Sequence, residues 1–147
     1  MSLLTDRTKI IDTSEKVGET VTLFGWVETK RDHGKLTFID LRDKSGTVQC
    51  VGYQLLGELT PESVVKITGE VKARPEKMIN PNLSTGTVEV DVKAYEVLNP
   101  ATELPIPVEG DGYEINEEVR LKYRYLDLRR ARMRRNLALR SEFTKAI

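Results

Sequence analysis

Between Thr20 and Val97 the chain alternates apolar and polar residues with a period of two, the mark of strands that bury one face. In "TVTLFGWVETK", residues 20–30, Val21, Leu23, Gly25 and Val27 fall on one side, and Thr22, Phe24, Trp26 and Glu28 on the other. Four more runs follow: "LTFIDLRD" at 36–43, "TVQCVGY" at 47–53, "VVKITGEVKA" at 64–73 and "TVEVDVKAYEV" at 87–97. "RDHG", 31–34, and "DKSG", 43–46, read as turns. Residues 54–63 break the alternation as a short connector. "RPEKMINPNLSTG", 74–86, is a long loop of the kind that carries function or moves. Gly25, in mid-strand, predicts a bulge or a sharp bend there.

Five strands with few helices predict an all-β fold, a five-stranded Greek-key OB barrel. An SH3-like barrel is the alternative, and the long loop before the last strand favours OB. After Val97 the texture changes. "LNPATELPIPVEGDG", 98–112, has three prolines and reads as an extended linker. "EINEEVRLKYRYLDLRR" places Leu121, Tyr125 and Leu128 at helical spacing, with Asn116 as its cap. In a second helical stretch Leu139, Phe143 and Ile147 recur every four residues, and the pattern meets no stop signal. The expected division is a barrel over 1–104, a linker and hinge over 105–130, and the start of a further domain over 131–147, so a fragment of a longer protein.

The charges sum to zero, with 23 basic and 23 acidic residues, but they are spread unevenly. Residues 119–147 hold ten Lys or Arg against two acids; residues 1–118 hold thirteen against twenty-one. The basic tail suits an anionic partner or an acidic neighbour, while the acidic body argues against a nucleic-acid binder held by charge alone. One cysteine excludes an internal disulfide framework. No apolar run is long enough for a membrane helix, and the first residues lack a signal pattern, so a cytoplasmic protein is expected. Zinc spacing, a phosphate-cradling glycine loop and a Ser-His-Asp set are all missing.

Phe38 raises the functional question. If Ile39 and Leu41 point inward, Phe38 points out, beside Asp40 and Arg42. The same arithmetic turns Gln49 and Glu89 outward, and Arg31 sits in the turn after the first strand. On an OB barrel these four can share one surface: a ring, an amide, a carboxylate and a guanidinium. Such a set stacks on an unpaired base and reads its edge. Each residue also has an ordinary reading: a covered Phe38, a solvating Glu89, a plain surface Gln49. Trp26 reads as packing beneath the linker, His33 as a turn residue, and Cys50 as an inert core residue.

"GWVETKRDHGKLTFIDLRDKSGTVQCV", 25–51, resembles the anticodon-binding OB domain of class II aspartyl-tRNA synthetases, and "RLKYRYLDLRR", 120–130, resembles the hinge of their bacterial type. The resemblance implies that Phe38 stacks on an anticodon base and that Gln49 and Glu89 read base edges, in a family that prefers GUC with a queuosine-modified first base. It makes Arg31 a basic contact and places Asn80 in a loop that closes over the anticodon. Met78 departs from the polar residue found in part of the family. Arg129, Arg130, Arg134 and Arg135 would meet tRNA phosphates near the inner elbow, or pair with the catalytic domain. The helix from Ala131 resembles the opening of class II motif 1. Motifs 2 and 3 are not in this chain, so no residue here is catalytic.

The parent would use ATP and Mg2+ to form aspartyl-adenylate and charge tRNA(Asp), as a homodimer; the fragment is expected to be a monomer. Whether tRNA(Asn) is also a partner stays open: His33 looks like the relaxed forms and Lys77 like the strict ones. The competing classes are a stand-alone single-strand binder, which should carry several stacking aromatics and a basic groove, and a barrel used only for protein docking.

Overall fold

The computed structural model describes residues 7–146. Five strands, β1 (Thr20–His33), β2 (Leu36–Arg42), β3 (Thr47–Tyr53), β4 (Val64–Ala73) and β5 (Val88–Asn99), close into a barrel in the order β1-β2-β3-β5-β4. All neighbours are antiparallel except β3 and β5, which run parallel from Gln49–Glu89 to Val51–Asp91. That is the five-stranded OB arrangement predicted from the alternation. The inward positions fill the interior: Leu23, Val27, Ile39, Leu41, Val48, Cys50, Ile67 and Val90 are all fully buried. Burial pushes the Cys50 thiol well above its usual range, with a minor contribution from Asp40, so the sulfur stays protonated and inert.

Two corrections to β1 decide what the barrel presents outside. The strand continues through Arg31, Asp32 and His33, which the sequence places in the turn. Its bulge lies between Val27 and Thr29, not at Gly25. Gly25 is instead a point of close approach, where a Cβ would stand 2.4 Å from the Arg42 carbonyl oxygen. The extra residue, Glu28, reverses the parity of the rest of the strand. Counted straight on from Val27, Thr29 and Arg31 would face the core. With the bulge, Thr29, Arg31 and His33 pair with Asp40, Phe38 and Leu36 on the outer face. Trp26 is 39 % exposed, with the Arg42 guanidinium 6.0 Å from its ring centroid, rather than covered as expected.

Residues 104–146 form a second compact unit. It holds α1 (Glu117–Lys122), α2 (Arg124–Asp127) and α3 (Ala131–Ala146). Asn116 caps α1 as predicted, its side-chain oxygen accepting from the Glu118 amide at 2.8 Å. The apolar stripe does not behave as predicted, because the helix breaks at Tyr123. Leu121 and Tyr125 are exposed, and Leu126 is buried together with Ile106. Leu139 and Phe143 are exposed on α3, and Ile147 lies outside the described residues. Among the described residues, no helix is long and apolar enough to cross a membrane.

Candidate nucleic-acid interface

The pairing of β1, β2, β3 and β5 lays their outward side chains out in rows. One row runs Thr29, Asp40, Gln49, Glu89; the next runs Arg31, Phe38, Val51, Asp91; a third runs His33, Leu36, Tyr53. Neighbours within a row are close enough to interact across strands. The structure therefore brings Arg31, Phe38, Gln49 and Glu89 onto one patch, from four different strands.

The polar row is a connected network. Arg31 donates to Asp40 at 3.0 Å and reaches the Gln49 side-chain oxygen at 3.5 Å. Arg74 donates to that same oxygen at 2.8 Å, and the Gln49 amide nitrogen donates to Glu89 at 3.1 Å. Gln49 points outward, yet it is only 9 % exposed, because these partners surround it. Its amide is consequently held in one orientation, with donor toward Glu89 and acceptor toward the two arginines. Arg31 keeps half of its side chain in water, and Glu89 about a quarter. Each can turn to an incoming group without being dug out of the fold.

Phe38 is half-buried, and the His33 ring meets it edge-on, centroids 5.5 Å apart and planes at 87°. That contact props the phenyl ring against the sheet and turns His33 from a turn residue into part of the patch. Beyond it, Lys72 and Lys93 hydrogen-bond Asp91 and hold its carboxyl below the usual range.

Arg74 is the residue that the sequence reading missed. It follows the last residue of β4, its side chain is 9 % exposed, and its Nε stands 3.6 Å from Glu89. Nε and Nη1 are buried without a hydrogen-bond partner. Its signal was the outward series Glu70, Lys72, Arg74, readable only once β4 is known to pair beside β5. Asn80 does not join the network. Its side chain accepts from the Asn82 amide at 3.0 Å, and its main chain bonds Gly86 and Leu83, so it shapes the loop.

Of the four hinge arginines, Arg129, Arg134 and Arg135 are exposed. Arg130 is 1 % exposed and must be withdrawn from the phosphate set. Its guanidinium is taken up by Asp127 at 2.9 Å and by the carbonyls of Pro107 and Glu109. Among the described residues, no group of His, Cys, Asp or Glu side chains is placed to hold a metal ion.

A barrel of this topology, with an aromatic ring and a polar network on its β2–β3 face, has the architecture of a nucleic-acid-binding OB domain. The family model for the tRNA anticodon OB-fold nucleic acid binding domain matches residues 21–98, more than half of the chain, and the chain belongs to that family. Over 136 residues it is 51 % identical to an aspartate–tRNA(Asp/Asn) ligase of Phenylobacterium zucineum, covering 88 % of this chain and 23 % of that protein. It is 50 % identical over 139 residues to the ligase of that name from Corynebacterium diphtheriae, covering 90 % and 23 %. The chain thus spans about a quarter of the length of these curated relatives. A crystal structure of asparaginyl-tRNA synthetase from Pyrococcus horikoshii, complexed with asparaginyl-adenylate, is 30 % identical with a TM-score of 0.68, covering 86 % of this chain and 30 % of that one. These relatives bear out the resemblance drawn from residues 25–51 and 120–130.

Proposed function

We propose that this chain is the anticodon-binding part of an aspartate–tRNA ligase and that its β1–β2–β3–β5 face takes unpaired anticodon bases. The observation that carries this reading is Gln49: an outward amide, buried and oriented by Arg31, Arg74 and Glu89, one row from the ring of Phe38. In it, one base lies flat on Phe38. The Gln49 amide offers a donor and an acceptor to a base edge, Glu89 accepts from a ring or exocyclic N–H, and Arg31 leaves Asp40 to meet a carbonyl oxygen or phosphate. Because these groups hold one another in the free protein, base binding exchanges partners rather than creating order.

Asn80 acts by shaping the loop that closes over the triplet. Arg129, Arg134 and Arg135 meet backbone phosphates. The tRNA is tRNA(Asp), and whether tRNA(Asn) is taken as well is decided near His33 and Lys77. In the whole enzyme ATP and Mg2+ serve the aspartyl-transfer chemistry elsewhere, and no residue of this chain takes part in it.

Filter binding of an anticodon stem-loop tests the reading. Phe38→Ala is expected to weaken binding by about 1–3 kcal/mol, the size of one base–aromatic stack. Equal affinity for a hairpin of unrelated loop sequence would refute base reading. Glu89→Gln should relax preference at one anticodon position while leaving affinity for the stem unchanged. A uniform loss across all loop sequences would make Glu89 a support of Gln49 and nothing more.

A further inference from the structure

We propose that Tyr53, flanked by Leu36, is a second stacking platform, which takes the unpaired nucleotide next to the triplet while Phe38 holds an anticodon base. The proposal rests on the reading above. Tyr53 closes β3 and is 57 % exposed; Leu36 opens β2, lies directly opposite it and is 40 % exposed. A lone exposed tyrosine needs no explanation. Here the exposed apolar surface is continuous with the interface. Leu36 and Phe38 are two residues apart on the same outer face, about 6.6 Å along the strand. His33 joins them, opposite Leu36 in the sheet and edge-on to Phe38.

The backbone here is held, although it lies at the strand ends. The Gln54 amide donates to the Lys35 carbonyl at 2.7 Å, one residue beyond the Leu36–Tyr53 pair. A phenol ring on a fixed backbone has only its own two torsions left to order when a base settles on it. Lys35, exposed in the β1–β2 turn, sits beside Leu36 in the chain and offers a cation for the phosphate between the two bases. Successive aromatic platforms along a basic edge are how OB folds track a single strand. The phenol and Leu36 make no base-specific hydrogen bonds of the kind that Gln49 and Glu89 offer, so the second platform adds affinity without adding sequence preference.

The test titrates the full chain with an anticodon stem-loop and with two versions, each abasic at one of the loop positions flanking the triplet. Tyr53→Ala should weaken the intact stem-loop by about 5- to 150-fold. Tyr53→Phe should bind like the parent. One abasic version should bind the parent and Tyr53→Ala equally. The proposal is overturned if Tyr53→Ala binds the intact loop as the parent does, or if it loses the same factor with all three RNAs, as it would were the patch a protein-docking surface or a folding element. Tyr53→Thr, which keeps strand preference, replaces the alanine variant if that one melts early. Phe38→Ala, run alongside, separates the two failures. If it weakens binding and Tyr53→Ala does not, only the second platform falls. If neither matters, the whole face is misread.

Discussion

Replacing Arg130 with alanine is expected to unfold the segment that holds α1 and α2 while the barrel stays intact. The second unit has little apolar core: among its described residues Ile106 and Leu126 are the buried hydrophobics, and Arg130 is the largest buried side chain beside them. The guanidinium does the work a core would do elsewhere. It pairs with Asp127, itself 4 % exposed, and collects the carbonyls of Pro107 and Glu109, which belong to a proline-rich stretch without sheet partners. Gly112 makes room for it; its φ is +77°, and a Cβ there would stand 2.6 Å from the Arg130 Nε. Removing one member of a buried pair leaves the other charge uncompensated and costs about 3–5 kcal/mol. A unit of this size has roughly 2–6 kcal/mol to lose. Hydrogen exchange reads the result: the amides of Leu126, Leu128 and Arg130 should lose protection, with barrel amides as the internal reference. Arg130→Lys should fall between, since an ammonium keeps the charge but not the fork that spans three acceptors. Full protection in the alanine variant would mean that the arginine is a passenger.

Arg130 also shows where sequence reading stops. In the run "DLRRARMRR" five arginines look alike, and residue type says nothing about which one turns inward. The answer depends on carbonyls some twenty residues earlier, in a stretch whose path no periodicity encodes. The helix was misjudged for a related reason. Leu121, Tyr125 and Leu128 make a good stripe on a continuous helix, but a break at Tyr123 rotates the following turn and buries Leu126.

The barrel was far more legible, because alternation is a local signal and each strand was long enough to show it. Val21, Leu23, Val27, Ile39, Leu41, Val48, Val88 and Val90 are buried as the pattern required. What alternation does not encode is which strands meet. The parallel β3–β5 contact puts Glu89 beside Gln49, and Arg74 enters the site only through the β4–β5 register. The bulge at Glu28 is equally silent in the sequence, and it alone brings Arg31 to the outer face; the turn reading had reached the right residue for the wrong backbone reason.

Asp43→Asn is expected to destabilise the barrel at neutral pH by about 1–3 kcal/mol, and by much less in acid. Asp43 follows β2 and opens the β2–β3 turn, and its side chain is 1 % exposed. One carboxylate oxygen accepts from the Ser45 amide and hydroxyl, both at 2.6 Å, and from the Gly46 amide at 3.2 Å. The other accepts from the Ile10 amide at 3.2 Å and from Arg7 at 3.3 Å, tying the turn at Ile10–Glu15 to the hairpin. Burial raises the carboxyl pKa, but the hydrogen bonds from Ser45, Ile10 and Gly46 outweigh it, and the net pKa lies below the usual 3.8. A carboxyl with a lowered folded-state pKa contributes its full stabilisation above the unfolded value, and the contribution disappears as pH falls through the folded one. An asparagine keeps the shape but turns an NH2 toward donors, so part of the clasp becomes repulsive at every pH. Urea midpoints for the two proteins should therefore lie well apart at pH 7 and draw together only as the pH falls below 3.8 and through the lowered folded-state pKa, where the aspartate protonates and becomes nearly as poor an acceptor as the amide. A gap that held constant across that range would show that the clasp works through packing of Ile10 against the hairpin and not through the charge.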